Sequence, residues 1–306
     1  MKFFKNNKLS ILVYVFLLIL IVASFYQYFK DYYSYAPLYY EVKDKCDNGD
    51  KDSCLKFENV YKYTLDPKEK FDRLDVITLT SEIVENSYFS MLQWIGPLLV
   101  IVLIIDLFHK ELSSGIFKYY LNRMSYKKFL KRIMFISFRR AWVLPISLIF
   151  VFLISCFITG FNFSIHESVK NIAVYDSFKY NNFLVYGLVI VLLLFIISLF
   201  YGNLAVLCCK KNKNSLITII LSYVLFIAVD IFILVIVYSL IINNLLGFKE
   251  LTDYFNITGY WFFKGNINYL LVLLIASIIS VCSYILLYFS YHNKEKLIYE
   301  NEKQNT

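Results

Sequence analysis

Long apolar runs with almost no charge alternate along the chain with charged stretches. A bilayer core about 30 Å thick takes roughly 20 helical residues at ~1.5 Å each. Six runs meet that length, near Leu9–Phe29, Ser87–Leu107, Ala141–Gly160, Phe183–Leu207, Ser215–Ile242 and Tyr269–Phe289. Most are apolar on every side, as helices among lipid or other helices must be. None sustains the alternation of a membrane β-strand. The pattern predicts an all-α integral membrane protein of six transmembrane helices, one domain over 1–306. Pro97 and Pro145 fall inside runs and are expected to kink them. The first run follows Lys2, Lys5 and Lys8, as a signal peptide would. It is too long for one and no A-x-A site follows, so an uncleaved span is expected.

Composition agrees, with 59% hydrophobic residues, 18% charged and a mean hydropathy of +0.58. The net charge of +8 could suit nucleic acid. The basic residues flank apolar runs, however, which is how a membrane protein is oriented, so no nucleic-acid partner is expected. With the N-terminus inside, the inner segments hold 18 Lys and Arg, against 2 in each of the outer loops near 161–182 and 243–268. The outer loop at 30–86 holds 9, outnumbered by 13 acids. Both termini are therefore expected in the cytoplasm, with the chain in a bacterial plasma membrane.

The 30–86 segment is polar, punctuated by Pro37 and Pro67, and short of the apolar content an independent core needs. Cys46 and Cys54 flank DNGDKDS and could clip a turn if that side is oxidising; free cysteines are the other reading. Asp44, Asp47, Asp50 and Asp52 cluster there without EF-hand spacing or a closing Glu, so no metal site is expected. Cys208 and Cys209 end the fourth run, as packing residues or as acylation sites. Asn162 and Asn256 begin glycosylation sequons in outer loops.

The basic loop at 106–140 carries nine Lys and Arg and two acids, Asp106 and Glu111. Ser113, Ser114 and Gly115 break the helix that leaves the second run. Phe117, Tyr120, Leu121 and Met124 then share one face at helical spacing. Ser125 is placed to cap a following helix that carries Lys127, Lys128, Lys131 and Arg132. Such a segment suits either anionic lipid or a docking protein.

The chain has no P-loop for ATP, no H-E-x-x-H and no G-x-S-x-G, and its three histidines are scattered, so no catalytic residue is expected. Asp230 is the one acid deep in a run. It is either a pathway or proton-relay residue or the partner in one interhelical hydrogen bond.

The run Glu111-x-x-x-Gly115-Ile116-Phe117-Lys118-x-x-Leu121-x-Arg123-x-Ser125, followed by Phe129-Leu130-Lys131, resembles the cytoplasmic loop of ABC-2 type transporter permeases. Met124 stands near the family's usual Pro, and Tyr126 replaces an Arg. The resemblance implies the membrane subunit of an ABC exporter, with a coupling helix between spans two and three. It implies docking of a separate ATPase through Glu111, Gly115, Phe117, Lys118, Tyr120, Leu121, Arg123, Met124 and Ser125. It also implies a second copy or related permease, ATP and Mg in the partner, and no cofactor in this chain. A secondary transporter using Asp230 and a membrane sensor or immunity protein are the alternatives; the transporter should show internal repeats, and none is visible.

Overall fold

The computed structural model describes residues 8–58, 74–113, 125–164, 182–210, 214–247, 252–257 and 268–293. Every regular element among them is a helix. In chain order they are α1 (Lys8–Asp47), α2 (Lys51–Lys56), α3 (Val76–Glu85), α4 (Ser87–Ser90), α5 (Leu92–Ser113), α6 (Tyr126–Arg140), α7 (Val143–Ile158), α8 (Phe183–Cys209), α9 (Ser215–Ile231), α10 (Thr252–Phe255) and α11 (Tyr269–Tyr291). A π-wound stretch, Phe232–Leu245, continues α9.

Five helical stretches are long and apolar enough to cross a membrane: Leu9–Asp47, Tyr126–Ile158, Phe183–Cys209, Ser215–Asn244 and Tyr269–Tyr291. A sixth, Leu92–Phe108, is apolar but shorter. The protein is thus membrane-embedded, with helices at the hydropathy maxima. The second predicted run does not start as one helix at Ser87. Asn86 accepts from the Tyr88 amide to begin α4, the chain turns at Met91, and α5 follows.

The first span is not a 21-residue helix followed by a loop. α1 runs for 40 residues, about 60 Å, through Pro37. An internal proline forfeits one backbone hydrogen bond. Packing offsets the loss here, because Tyr39 and Val42 are buried against Tyr35, Tyr40 and Phe57. The chain turns at Gly49, whose φ of 90° suits glycine, and α2 returns along α1. Residues 30–58 therefore form a helical hairpin rather than a loop.

The second departure lies at 74–86. Expected in a polar outer loop, these residues build α3, in which Val76, Leu79 and Ile83 are fully buried in the main core. Asp75 caps it, accepting from the amide and hydroxyl of Thr78 at 2.8 and 2.7 Å. The Val76 amide donates to the Asn162 carbonyl at 2.8 Å, and Asn162 Nδ2 donates to the Leu74 carbonyl at 3.3 Å. The first sequon asparagine thus fastens α3 to the end of α7.

The third departure concerns Pro145. It sits in the first turn of α7, where a missing N–H is tolerated. The break falls just before it, at Ala141–Trp142, because proline cannot donate to the Ala141 carbonyl. α8 is the central helix, packed by α5, α6, α7, α9 and α11. Gly202 permits the closest approach: a Cβ there would stand 2.5 Å from Ile104 Cδ1 and 3.0 Å from Ser137 Cβ.

Candidate functional site

The basic segment is flanked by two described helices, and what those helices touch decides what a partner there could move. α5 ends at Ser113, so Glu111 is in its last turn. Gly115, Phe117, Lys118, Tyr120, Leu121, Arg123 and Met124 lie outside the described residues. Ser125 occupies the N-cap position of α6, but its side chain makes no capping bond; its carbonyl accepts from Lys128 and Phe129. From there α6 is amphipathic. Phe129, Ile133, Ile136 and Ser137 are buried, while Lys127, Lys128, Lys131 and Arg139 are exposed.

Both ends of α6 are tied to the same end of the bundle. The Tyr126 hydroxyl donates to the Tyr291 carbonyl at the end of α11. Arg140 Nη1 donates to the Tyr14 hydroxyl, near the start of α1, at 3.3 Å. α6 is therefore tied at both ends to that end of the bundle, and α7 continues from it. Ser10 donates to Asp106 at 3.1 Å, which joins α1 to α5 at the same level.

Tyr291 is the hub of this end. It is 2% exposed, and its hydroxyl donates to the Val206 carbonyl of α8 at 2.8 Å. Lys210 donates to the Ser290 carbonyl at 2.7 Å and stands 5.9 Å from the Tyr291 ring centroid. Phe108 of α5 meets the same ring edge-on, with centroids 6.3 Å apart. Deeper in, Asn203 donates to Ser283 at 2.8 Å, and Ser283 donates to the Ser280 carbonyl. Polar side chains thus fasten α8 to α11, as expected where lipid offers no alternative partner. None of these residues was singled out from the sequence. Tyr and Asn at the inner ends of two apolar runs were the available signal.

No protein-family model, curated protein or solved structure matches this chain. Function rests on the site alone.

Asp230 lies on α9 with its Oδ1 buried and unpartnered, facing the backbone of Ile257. That places a carboxylate against the segment that returns between α9 and α11. No relay is assembled around it among the described residues. Cys208 and Cys209 are buried, which favours packing over acylation.

The hairpin of α1 and α2 is a second candidate surface. Cys46 and Cys54 are disulfide-bonded across its turn. Asp44, Asp47, Asp50 and Asp52 are exposed around it. Ser53 donates to Asp50 at 2.5 Å, and this bond holds the Asp50 carboxyl below its ordinary range. Among the described residues no group of three His, Cys, Asp or Glu side chains could hold a metal ion. Closing so short a loop stabilises it by about 2–3 kcal/mol. In unreduced protein alkylated before digestion, Cys46 and Cys54 are expected as one linked peptide. Finding both alkylated would remove the bridge.

Proposed function

We propose that this chain is the membrane-spanning permease subunit of an ATP-driven exporter. Six helices cross the membrane, Leu92–Phe108 being one, and both termini face the cytoplasm. A separate ATPase, which holds the ATP and Mg, docks on a coupling helix between spans two and three, through Glu111, Gly115, Phe117, Lys118, Tyr120, Leu121, Arg123, Met124 and Ser125. A second copy or a related permease completes the pathway.

The attachment of α6 carries this reading. The helix leaves the basic segment directly and is fixed by Tyr126 to Tyr291, and through Tyr291 to α8. Its buried face is set in the main core. A push at residues 114–124 therefore reaches the central helix through packed side chains, as rigid-body transmission requires. The excess of basic residues around that segment supports its cytoplasmic side.

The test is transport by sealed vesicles holding this chain with a candidate ABC ATPase from the same genome. Export is expected to need hydrolysable ATP and to stop without the ATPase. Movement driven by a proton gradient alone would instead favour a route through Asp230. Orientation has its own check in Lys211→Cys and Asp176→Cys, each in a background without other cysteines. An impermeant thiol reagent added outside is expected to label position 176 and spare 211. The reverse pattern would invert the topology.

A further inference from the structure

We infer that the cavity between α3, α7 and α8 binds a single-chain amphiphile carrying a protonated amine, which enters sideways from the lipid. The cavity is about 350 Å³, within the size range of small-molecule sites. It lies toward the bundle end where Asn162 fastens α3 to α7, away from α6 and Lys210.

Leu148 and Phe152 of α7 face Ile190 and Val191 of α8 across the space. α8 has Gly187 at this level, where a Cβ would meet nothing within 4 Å, so the space beside the helix is open. Leu184 and Leu188, 65% and 64% exposed, border it on the outer surface of α8. In a membrane such a border faces hydrocarbon, so an apolar chain can enter without crossing water.

Most polar groups of the lining lie on α3; Tyr186 of α8 also lines the space, its ring packed edge-on against Tyr269. Thr80 and Ser81 line the cavity and are each 5% exposed, yet Thr80 Oγ1 and Ser81 Oγ have no hydrogen-bond partner. Other helical hydroxyls in the bundle satisfy themselves: Ser147, Ser198, Ser222 and Ser277 each donate to a carbonyl one turn earlier. Ser137 and Ser155 also lack partners, but neither lines the cavity. Unpaired hydroxyl oxygens in a low-dielectric site are unfavourable, and an ammonium head can donate to them after a rotamer change, leaving their O–H groups to bond the carbonyls one turn earlier. Glu85, exposed at the rim, is the only charged side chain among the lining residues. It selects a cationic head and repels an anionic one. An apolar body with a few convergent polar groups is the chemistry of an amphiphile site.

The test uses the full chain in nanodiscs of phosphatidylglycerol and a photoactivatable dodecylamine, with labelled peptides mapped by mass spectrometry. Labelling is expected on residues 148–153 and 184–191. Gly187→Phe fills the space and is expected to reduce labelling about tenfold or more. Glu85→Gln is expected to reduce it about tenfold while leaving a dodecanol probe unaffected. Glu85 is exposed, so this variant keeps the test valid should Gly187→Phe misfold. Competition by lysophosphatidylethanolamine, a single-chain lipid with a protonated amine, placed in the disc identifies a membrane lipid as the source. Competition only by added dodecylamine identifies a soluble amphiphile. Competition by neither overturns the site, as would equal labelling by a dodecanoic acid probe. Undiminished labelling of a folded Gly187→Phe protein would overturn it too.

Discussion

On the proposed docking, replacing Phe117 and Tyr120 together by alanine is expected to abolish co-purification of an ATPase while leaving the chain inserted in the membrane. Phe117, Tyr120, Leu121 and Met124 fall on one face at helical spacing, bounded by basic residues. Aromatic anchors of this kind dominate interface energetics, each costing about 2 kcal/mol or more on truncation. Loss of the pair would weaken docking by roughly a thousandfold if the costs add, and by at least ~30-fold if they overlap. Insertion is set by the apolar runs and does not depend on these side chains. Co-purification and ATP-driven transport should therefore fall together. A double variant that retains its ATPase would leave the segment as a lipid-surface helix and remove the docking reading.

Tyr291→Ala is expected to lower stability in detergent by about 3–5 kcal/mol, the range for deleting a large buried aromatic. The variant opens a cavity beneath Phe108 and removes the bond to the Val206 carbonyl. It also frees the chain end to which Tyr126 is tied. Tyr291→Phe keeps the ring and is expected to cost only about 1 kcal/mol, the net worth of one hydrogen bond. Tyr126→Phe should cost about as little, since that ring also stays in place. Its larger effect is expected on transport, by loosening the joint between α6 and α11 while ATPase binding persists. Thermal melting of the three variants, set beside their ATP-driven transport, separates a stabilising contact from a transmitting one. If Tyr126→Phe transports normally, force does not pass through that joint.

Hydropathy located the helices because the cost of placing charge in hydrocarbon is local and additive over some 20 residues. The apolar centres of α8, α9 and α11 fall where the pattern puts them. The absence of β-alternation and of a P-loop was equally plain from the chain alone. Neighbours decided the rest. Pro37 is a breaker by local rules, yet α1 runs through it because Tyr39, Val42 and Phe57 pack behind it. Residues 76–83 read as part of an acidic loop, yet Val76, Leu79 and Ile83 are drawn into the core because Asn162 and Asp75 satisfy the backbone at the entry to α3. The Asn203–Ser283 and Tyr291–Val206 bonds join residues 80 and 85 positions apart, a distance over which local pattern carries no signal. The cavity at Gly187 is likewise invisible in the chain, since a gap belongs to three helices at once. By itself the sequence determined where the long apolar helices lie, because hydropathy depends on each segment's own residues. The tertiary structure alone decided which polar groups meet and where space remains, because those depend on packing between segments distant in the chain.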